Sequence, residues 1–310
     1  MKIGIDAMGG DHAPLEAVKG CLLARKLYPG ITPVLFGQKD KIKEAFAQLN
    51  SDPAAFEIIH ASEMIDMGEH ATKAIAHKKN SSINIGYKYL SEKKIDAFIG
   101  AGNTGAMLVG AMFSVKAIDG VQRPTITSVL PKLNGEMGVL VDVGANADCK
   151  PEVLNQFATL GSLYAQHVYG IRNPKVALLS IGEEKEKGNL LIQAASPMLE
   201  MNDRINFVGN VEGRDLFSDK ADVVVCDGYT GNIVLKLCEA WCYNLKKQGV
   251  ENEFLDRFDF TQYGGTPILG VNETVIIGHG ISKEQTFTNM FKMAQDVVNS
   301  QLIDKIKMSF

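Results

Sequence analysis

Five short segments, each following an apolar run, gather the residue types that handle anions. They are Asp6-Ala-Met-Gly9-Gly10-Asp11, Gly100-Ala-Gly102-Asn103-Thr104-Gly105, Asp142-Val-Gly144-Ala-Asn146, Gly182-Glu-Glu-Lys185-Glu-Lys187-Gly188-Asn189 and Asp227-Gly-Tyr-Thr230-Gly231-Asn232. Glycine lets backbone N–H groups approach an anion closely, and a helix starting just afterwards adds its positive end. The second segment has the G-x-G-x-x-G spacing of a dinucleotide loop. Such a loop needs an acid at the end of the next strand to hold the ribose. That strand, Ile126–Leu130, ends in Pro131-Lys132, and Asp119 precedes it. Nicotinamide chemistry is therefore not indicated. Any one of these segments also reads as turn punctuation or a helix cap. Their repetition on the strand-to-helix side points to an anion site.

The sequence carries no G-x-S-x-G elbow, no G-K-[ST] phosphate loop and no H-E-x-x-H. The six histidines share no spacing, and only His279 stands in a glycine-flanked loop after a strand. Five scattered cysteines without C-x-x-C read as buried thiols in a reducing compartment, not as metal ligands. Among the charged groups, Lys185 reads as part of a charge-balanced loop with its three glutamates. Lys187, beside Gly188-Asn189, is better placed to reach an anion. The expected site binds an anion and polarises a neighbouring group, with no metal, cofactor or covalent intermediate.

Positioning five strand-end loops takes a parallel sheet. Apolar runs are expected as strands at Lys2–Asp6, Pro33–Phe36, Glu57–His60, Asp96–Ile99, Ile126–Leu130, Met137–Asp142, Val176–Ile181, Asn206–Val208, Val223–Cys226 and Thr274–Ile277. Helices are expected between them at 14–28, 39–48, 70–91, 103–117, 151–169, 189–200, 230–247 and 282–305, the last opened by a Ser282/Gln285 capping box. The alternation predicts a three-layer α/β/α sandwich on a largely parallel sheet, one compact unit or two intertwined lobes. The 310 residues, 45 % hydrophobic and 22 % charged, suffice for such a core. A net charge of −4 argues against nucleic acid as the main partner. The N-terminal Met1-Lys2-Ile3 does not resemble a signal peptide and no run reaches spanning length, so a cytoplasmic protein is expected.

Several of these stretches resemble the bacterial phosphate acyltransferases of phospholipid synthesis. They are Met1 to Pro14, Ala101 to Ala106, Asp142 to Asn146, Lys187 to Asn189, Gly209-Asn-Val-Glu-Gly-Arg-Asp215, Asp227 to Asn232 and Tyr263 to Val271, in that order along the chain. The resemblance implies transfer of a long-chain acyl group from acyl-[acyl-carrier-protein] to inorganic phosphate. It implies a fold related to phosphotransacetylases and isocitrate/isopropylmalate dehydrogenases, a homodimer, and no cofactor. The acyl phosphate product would feed the first acylation of glycerol 3-phosphate. Carried over by position, Lys187, Asn232 and Asp227 would be catalytic, with Lys187 on the phosphate or oxyanion and Asp227 orienting it or accepting a proton. Gly9, Gly10, Gly102, Asn103, Thr104, Gly105, Gly144, Asn146, Asn189, Thr230 and Gly231 would cradle phosphate and acyl head. The readings left beside it are a short-chain phosphotransacetylase using acyl-CoA, and a carrier-protein or membrane-binding scaffold.

Two positions depart from the family pattern, Gly100 for the commoner Ser and Tyr229 for Phe. The span from Asn232 to Tyr263 is also shorter than in the family, where a helical hairpin with an apolar tip is associated with the membrane. A shortened hairpin is expected over 241–262, and reversible membrane contact between Lys247 and Asp256, next to the glycerol-3-phosphate acyltransferase that uses the product. The apolar stripe from Val234 to Leu245 is expected to face mostly inward, with only Tyr243, Lys246 and Lys247 projecting. An acidic carrier protein needs a basic patch, and Lys73, Lys78, Lys79 and Lys88 form the best cluster.

Overall fold

A computed structural model describes residues 1–310, with the side chain of Phe260 left outside the description. In chain order the first elements are β1 (Lys2–Asp6), α1 (Leu15–Leu27), β2 (Thr32–Gly37), α2 (Lys39–Gln48), β3 (Glu57–His60), α3 (Ala71–His77), α4 (Ser82–Ser91), β4 (Ala97–Gly100) and α5 (Thr104–Ser114). Next come β5 (Thr125–Pro131), β6 (Met137–Val141), α6 (Pro151–His167), β7 (Lys175–Leu179), α7 (Leu190–Glu200), β8 (Asn206–Val211) and β9 (Val223–Val225). The chain finishes with α8 (Gly228–Lys247), α9 (Glu253–Asp256), β10 (Thr266–Leu269), β11 (Thr274–Ile277), α10 (Glu284–Asn299) and α11 (Leu302–Lys307).

The chain divides into two compact units, Met1–Lys116 with Phe260–Asn299, and Ala117–Asp259 with Ser300–Phe310. In the first, strands run in the order β3-β2-β1-β4-β11-β10, parallel except for β10 against β11. In the second the order is β5-β6-β9-β7-β8, parallel except for β5 against β6. This is the α/β class the alternation predicts. The inner strands are buried on both faces, as parallel strands flanked by helices must be.

Close helix seating fixes the strand ends in place. A Cβ on Gly86 of α4 would lie 2.2 Å from the Phe98 ring of β4, so only glycine admits that ring. Phe98 in turn meets Tyr87 edge-on at 5.2 Å and Phe36 at 5.9 Å. Each buried ring of this kind stabilises the unit by about 2–3 kcal/mol. In the second unit Gly161 of α6 plays the same part against Val223 of β9 and Val141 of β6.

Four expectations are corrected. The helix expected over 70–91 is two helices, because Ser81 caps α4 through the Asn84 N–H at 3.3 Å. The Asn84 amide closes α3 by donating to the carbonyls of Ile75 and Lys78. The long C-terminal helix breaks at Gln301, which has a left-handed φ of 54°. Its capping box does not form: Ser282 is buried with its hydroxyl unpartnered, and the N–H of Glu284 donates instead to the Glu16 carboxylate of α1 at 2.8 Å. The α8 stripe faces inward only in part: Val234, Leu235, Cys238, Cys242 and Leu245 are half-buried, but Leu237 and Trp241 project. Only Gly228 and Gly231 of that helix are buried, and Tyr229, Ile233, Leu237 and Trp241, one turn apart, are 65, 49, 56 and 62 % exposed. Strand β10 was not foreseen because Pro267 sits inside it, a residue confined to edges and bulges of sheets.

Candidate active site

In the second unit the site grows from Asp142, at the end of β6 and fully buried. Its Oδ1 accepts the N–H groups of Gly144 and Ala145 at 3.2 and 3.0 Å. Its Oδ2 accepts the Asn146 N–H at 2.7 Å and the Asn146 amide at 2.9 Å. Burial pushes this carboxyl above the usual carboxylate range, and those hydrogen bonds pull against the rise. The donors of the 142–146 loop are therefore used within the protein. Asn146 is buried and also donates to the Pro124 carbonyl at 2.8 Å, so it holds the loop rather than presenting its amide outward.

Helix α8 starts directly against this loop. The N–H of Gly228 donates to the Asn146 carbonyl at 2.7 Å. Asp227 caps the helix, its Oδ1 accepting the Thr230 N–H at 2.8 Å and its Oδ2 the Thr230 hydroxyl at 2.9 Å. That carboxylate makes no ion pair with Lys187 among the described residues, so Thr230 is what Asp227 orients. One turn on, exposed Asn232 donates one amide N–H to the Val143 carbonyl at 3.2 Å, which leaves the other N–H and Oδ1 facing outward. Gly144, at φ +131°, admits this amide: a Cβ there would lie 3.1 Å from Asn232 Nδ2.

The lysine loop hangs between β7 and α7. Asn189 caps α7 through the Ile192 N–H at 3.0 Å, which sets Gly188 and Lys187 just ahead of the helix start. Lys187 is exposed and makes no ion pair among the described residues, whereas Lys185 is paired with Glu200 of α7. Lys185 is thus paired outside its own loop, with Glu200 and not with the three neighbouring glutamates expected to balance it. Cys149 and Cys226 lie near Asp142 and Asp227, and burial pushes the Cys149 thiol up to about 12 and the Cys226 thiol well above its usual range. Neither is a nucleophile at neutral pH.

The first unit builds a second such cluster. Asp6, at the end of β1, is buried, and its Oδ1 accepts the Met8 N–H at 3.1 Å. A Cβ on Gly9 would lie 2.6 Å from Asp6 Oδ2 and 2.7 Å from the Gly102 nitrogen, so these loops touch backbone to backbone. A Cβ on Gly10, at φ +102°, would lie 3.0 Å from the Gly280 carbonyl oxygen. Burial raises the Asp6 carboxyl to about 6, against the opposing pull of the Ser82 hydroxyl and the N–H groups of Met8 and Gly9. The Ser82 hydroxyl, itself buried, faces the carboxylate without completing a hydrogen bond of good geometry. Asn103 caps α5 through the Ala106 N–H, and its amide nitrogen donates to the carbonyls of Asp66, Met67 and Glu69. With that side chain fully engaged, the loop offers a ligand the exposed Thr104 hydroxyl and the first-turn N–H groups around Gly105. Sequence reasoning passed over Asp6 and Asp142 as loop anchors, although each is an acid on the last residue of a strand or just after it. No group of three or more His, Cys, Asp or Glu able to hold a metal occurs among the described residues.

Glycine-rich loops at the carboxyl ends of parallel strands are where α/β folds place their ligands, and the fold is that of the phosphotransacetylases. A solved phosphotransacetylase from Streptococcus pyogenes superposes with a TM-score of 0.66 at 17 % identity, over 96 % of this chain and 94 % of its own. Residues 1–305 match the family described as fatty acid synthesis protein. The phosphate acyltransferase of Dictyoglomus turgidum is 40 % identical over 325 residues, covering 99 % of this chain and 96 % of that one. The phosphate acyltransferase of Halothermothrix orenii is 43 % identical over 327 residues, covering 99 % and 98 %. The chain belongs to this family, the bacterial phosphate acyltransferases, and is an acyltransferase. Both matched spans exceed the 310 residues of this chain, so these relatives carry residues within the matched region that it lacks.

Proposed function

We propose that the protein transfers a long-chain fatty acyl group from acyl-[acyl-carrier-protein] to inorganic phosphate. The observation that carries the reading is the unpaired Lys187 ammonium ahead of the α7 N-terminus, beside a Lys185 that is neutralised by Glu200. A phosphate oxygen attacks the thioester carbonyl, the new C–O bond forms, the C–S bond breaks, and the thiol leaves with the proton of hydrogen phosphate. Phosphate dianion is already nucleophilic at neutral pH, so positioning and fixed donors for the developing oxyanion supply most of the rate. Lys187 binds phosphate or the oxyanion, and the outward N–H and Oδ1 of Asn232 hydrogen-bond the reacting groups. Within the first unit, taken by itself, Thr104 and the first-turn N–H groups of α5 form a second place suited to anionic oxygen. Asn103, Asn146, Thr230 and Asp227 act by fixing these loops.

The acyl phosphate would be consumed by a glycerol-3-phosphate acyltransferase, since so labile an amphiphile is best handed on at a membrane surface. No helix among the described residues is long and apolar enough to cross a membrane. On this reading the protein touches the membrane peripherally near 247–256, and product leaves there. The exposed stripe Tyr229, Ile233, Leu237 and Trp241 needs a cover in water, and a second copy in a homodimer supplies one.

The test is incubation of the pure protein with palmitoyl-[acyl-carrier-protein], with and without phosphate, following free carrier thiol. Phosphate-dependent release is expected. Release from acetyl-CoA but not from the carrier-protein ester would replace this reading by a short-chain phosphotransacetylase.

A further inference from the structure

The segment Gly209–Asp215 is shared with the family pattern, yet none of its residues belongs to the site described above. Its geometry assigns it a task. Strand β8 pairs with β7 through Val176↔Phe207 and then Leu178↔Asn210, so three steps on β8 meet two on β7. The extra residue is accommodated at Gly209, with φ +96° and nothing within 4 Å of a notional Cβ. Such a bulge re-aims the side chain that follows it. Here that side chain is Asn210, 8 % exposed, which donates from Nδ2 to the Glu184 carbonyl at 3.0 Å. The same carbonyl accepts the N–H of Lys187 at 3.1 Å. Glu184 is therefore gripped from below by Asn210 and from within the turn by the residue whose ammonium faces outward.

A second tether runs beside the first. Lys220 bridges Glu183 at 2.6 Å and Asp215 at 2.7 Å, and Asp215 is itself fixed by accepting the Glu212 N–H at 3.1 Å. The orientation of the Asn210 amide carries a cost. With Nδ2 on Glu184, its Oδ1 is buried and has no partner among the protein's own groups. An apolar residue of the same shape would leave no such orphan, and the Glu184 carbonyl would keep the Lys187 N–H at 3.1 Å, so the exchange strands no buried group. Stability alone does not explain the asparagine.

We propose that Asn210 is a positioning residue for Lys187, acting through the Glu184 carbonyl to hold the 182–188 turn in its reactive geometry. The inference rests on the reading of Lys187 given above. Asn210→Leu keeps the shape and removes both the grip and the orphan. It should leave the urea midpoint equal to or above that of the wild type while lowering kcat about tenfold, with KM for phosphate raised less than kcat falls. In a Lys187→Ala background the same change should lower kcat by less than about twofold, because residues acting as a unit are non-additive. Asn210→Asp gives a second, independent readout. Its carboxyl can donate to Glu184 only when protonated, so its turnover relative to the wild type should rise as pH falls. Should Asn210→Leu fail to fold, this pH dependence alone decides, and a flat ratio overturns the proposal. Full activity of Asn210→Leu, or an undiminished effect in the Lys187→Ala background, also overturns it while leaving the reading of Lys187 intact. Full activity of Lys187→Ala alone takes down both.

Discussion

Gly231 and Asp142 stand so close that a Cβ on the glycine would lie 1.9 Å from the Asp142 carbonyl oxygen. Cys226 Sγ would be met at 2.9 Å as well. The first turn of α8 is therefore seated on the 142–146 loop by backbone contact, and that seating delivers Asn232 one residue later. Gly231→Ala must push the helix away. A loss of more than about 2 kcal/mol is expected, at the upper end of overpacking, together with a fall in turnover. Gly213→Ala, where a Cβ meets nothing within 4 Å, should change stability by no more than about 0.5 kcal/mol. Equal urea midpoints for the two variants would refute the tight seating.

The three polar side chains nearest the proposed chemistry should separate kinetically. Lys187→Ala and Asn232→Ala should each lower turnover by about 10²-fold or more, the loss that follows removal of a donor to a developing oxyanion. Lys185→Ala removes an exposed ion pair with Glu200 and should cost little. Steady-state rates with saturating phosphate make the comparison. Equal and mild effects of all three would mean that the loop serves another purpose.

Asp6 gives stability a dependence on pH. Its carboxyl titrates near 3.8 when unfolded and is raised to about 6 in the native protein, chiefly by burial. Between those values the native state keeps a proton that the unfolded state has lost, so protonation favours folding. The contribution is full below the lower value and is lost as pH rises through the upper one, about 3 kcal/mol in all. Burial, and after it the Asp6 charge, holds the nearby Tyr87 phenol well above its usual value. Asp6→Asn keeps the acceptor for the Met8 N–H and removes the charge. Its urea midpoint should vary less with pH between about 4 and about 6, and at pH 7 it should exceed that of the wild type. A variant as pH-dependent as its parent would place the titration elsewhere.

What the sequence disclosed and what it hid follow from the range of the interactions concerned. The strands at Lys2–Asp6 and Thr274–Ile277 stand where the apolar runs put them, since strands buried on both faces are written as such runs. The helix start at Gly188-Asn189 was also legible, because a glycine followed by a capping asparagine is a local signal. Contacts between distant segments were not. Nothing near Lys132 in the sequence indicates that it is 1 % exposed and paired with Asp222. Nor does anything near Glu16 show that it caps a helix 268 residues away. The exposure of Leu237 and Trp241 escaped for the complementary reason. An i, i+4 apolar stripe says that a face is covered, not by what.

The basic cluster proposed to meet the carrier protein is reshaped by its own neighbours. Lys78 forms an ion pair with Glu69 at 2.5 Å and donates to the Met64 carbonyl at 2.8 Å. The Lys78 ammonium, donating to Glu69, holds that carboxyl below the usual carboxylate range. Lys78 is thus occupied in fixing the loop whose carbonyls, from Asp66 to Glu69, also receive the Asn103 amide. Lys79 reaches back only to the Ile75 carbonyl at 3.3 Å, and Lys73, Lys79 and Lys88 are exposed. Reversing Lys73, Lys79 and Lys88 to Glu should raise KM for palmitoyl-[acyl-carrier-protein] several-fold and flatten its salt dependence, with kcat little changed. Lys78→Glu should instead lower the urea midpoint and kcat together, since it sets a second carboxylate against Glu69 and loosens the loop that Asn103 grips. KM measured between about 50 and about 300 mM salt separates the two behaviours. A triple reversal that leaves KM and its salt dependence unchanged would move the docking face off this helix pair.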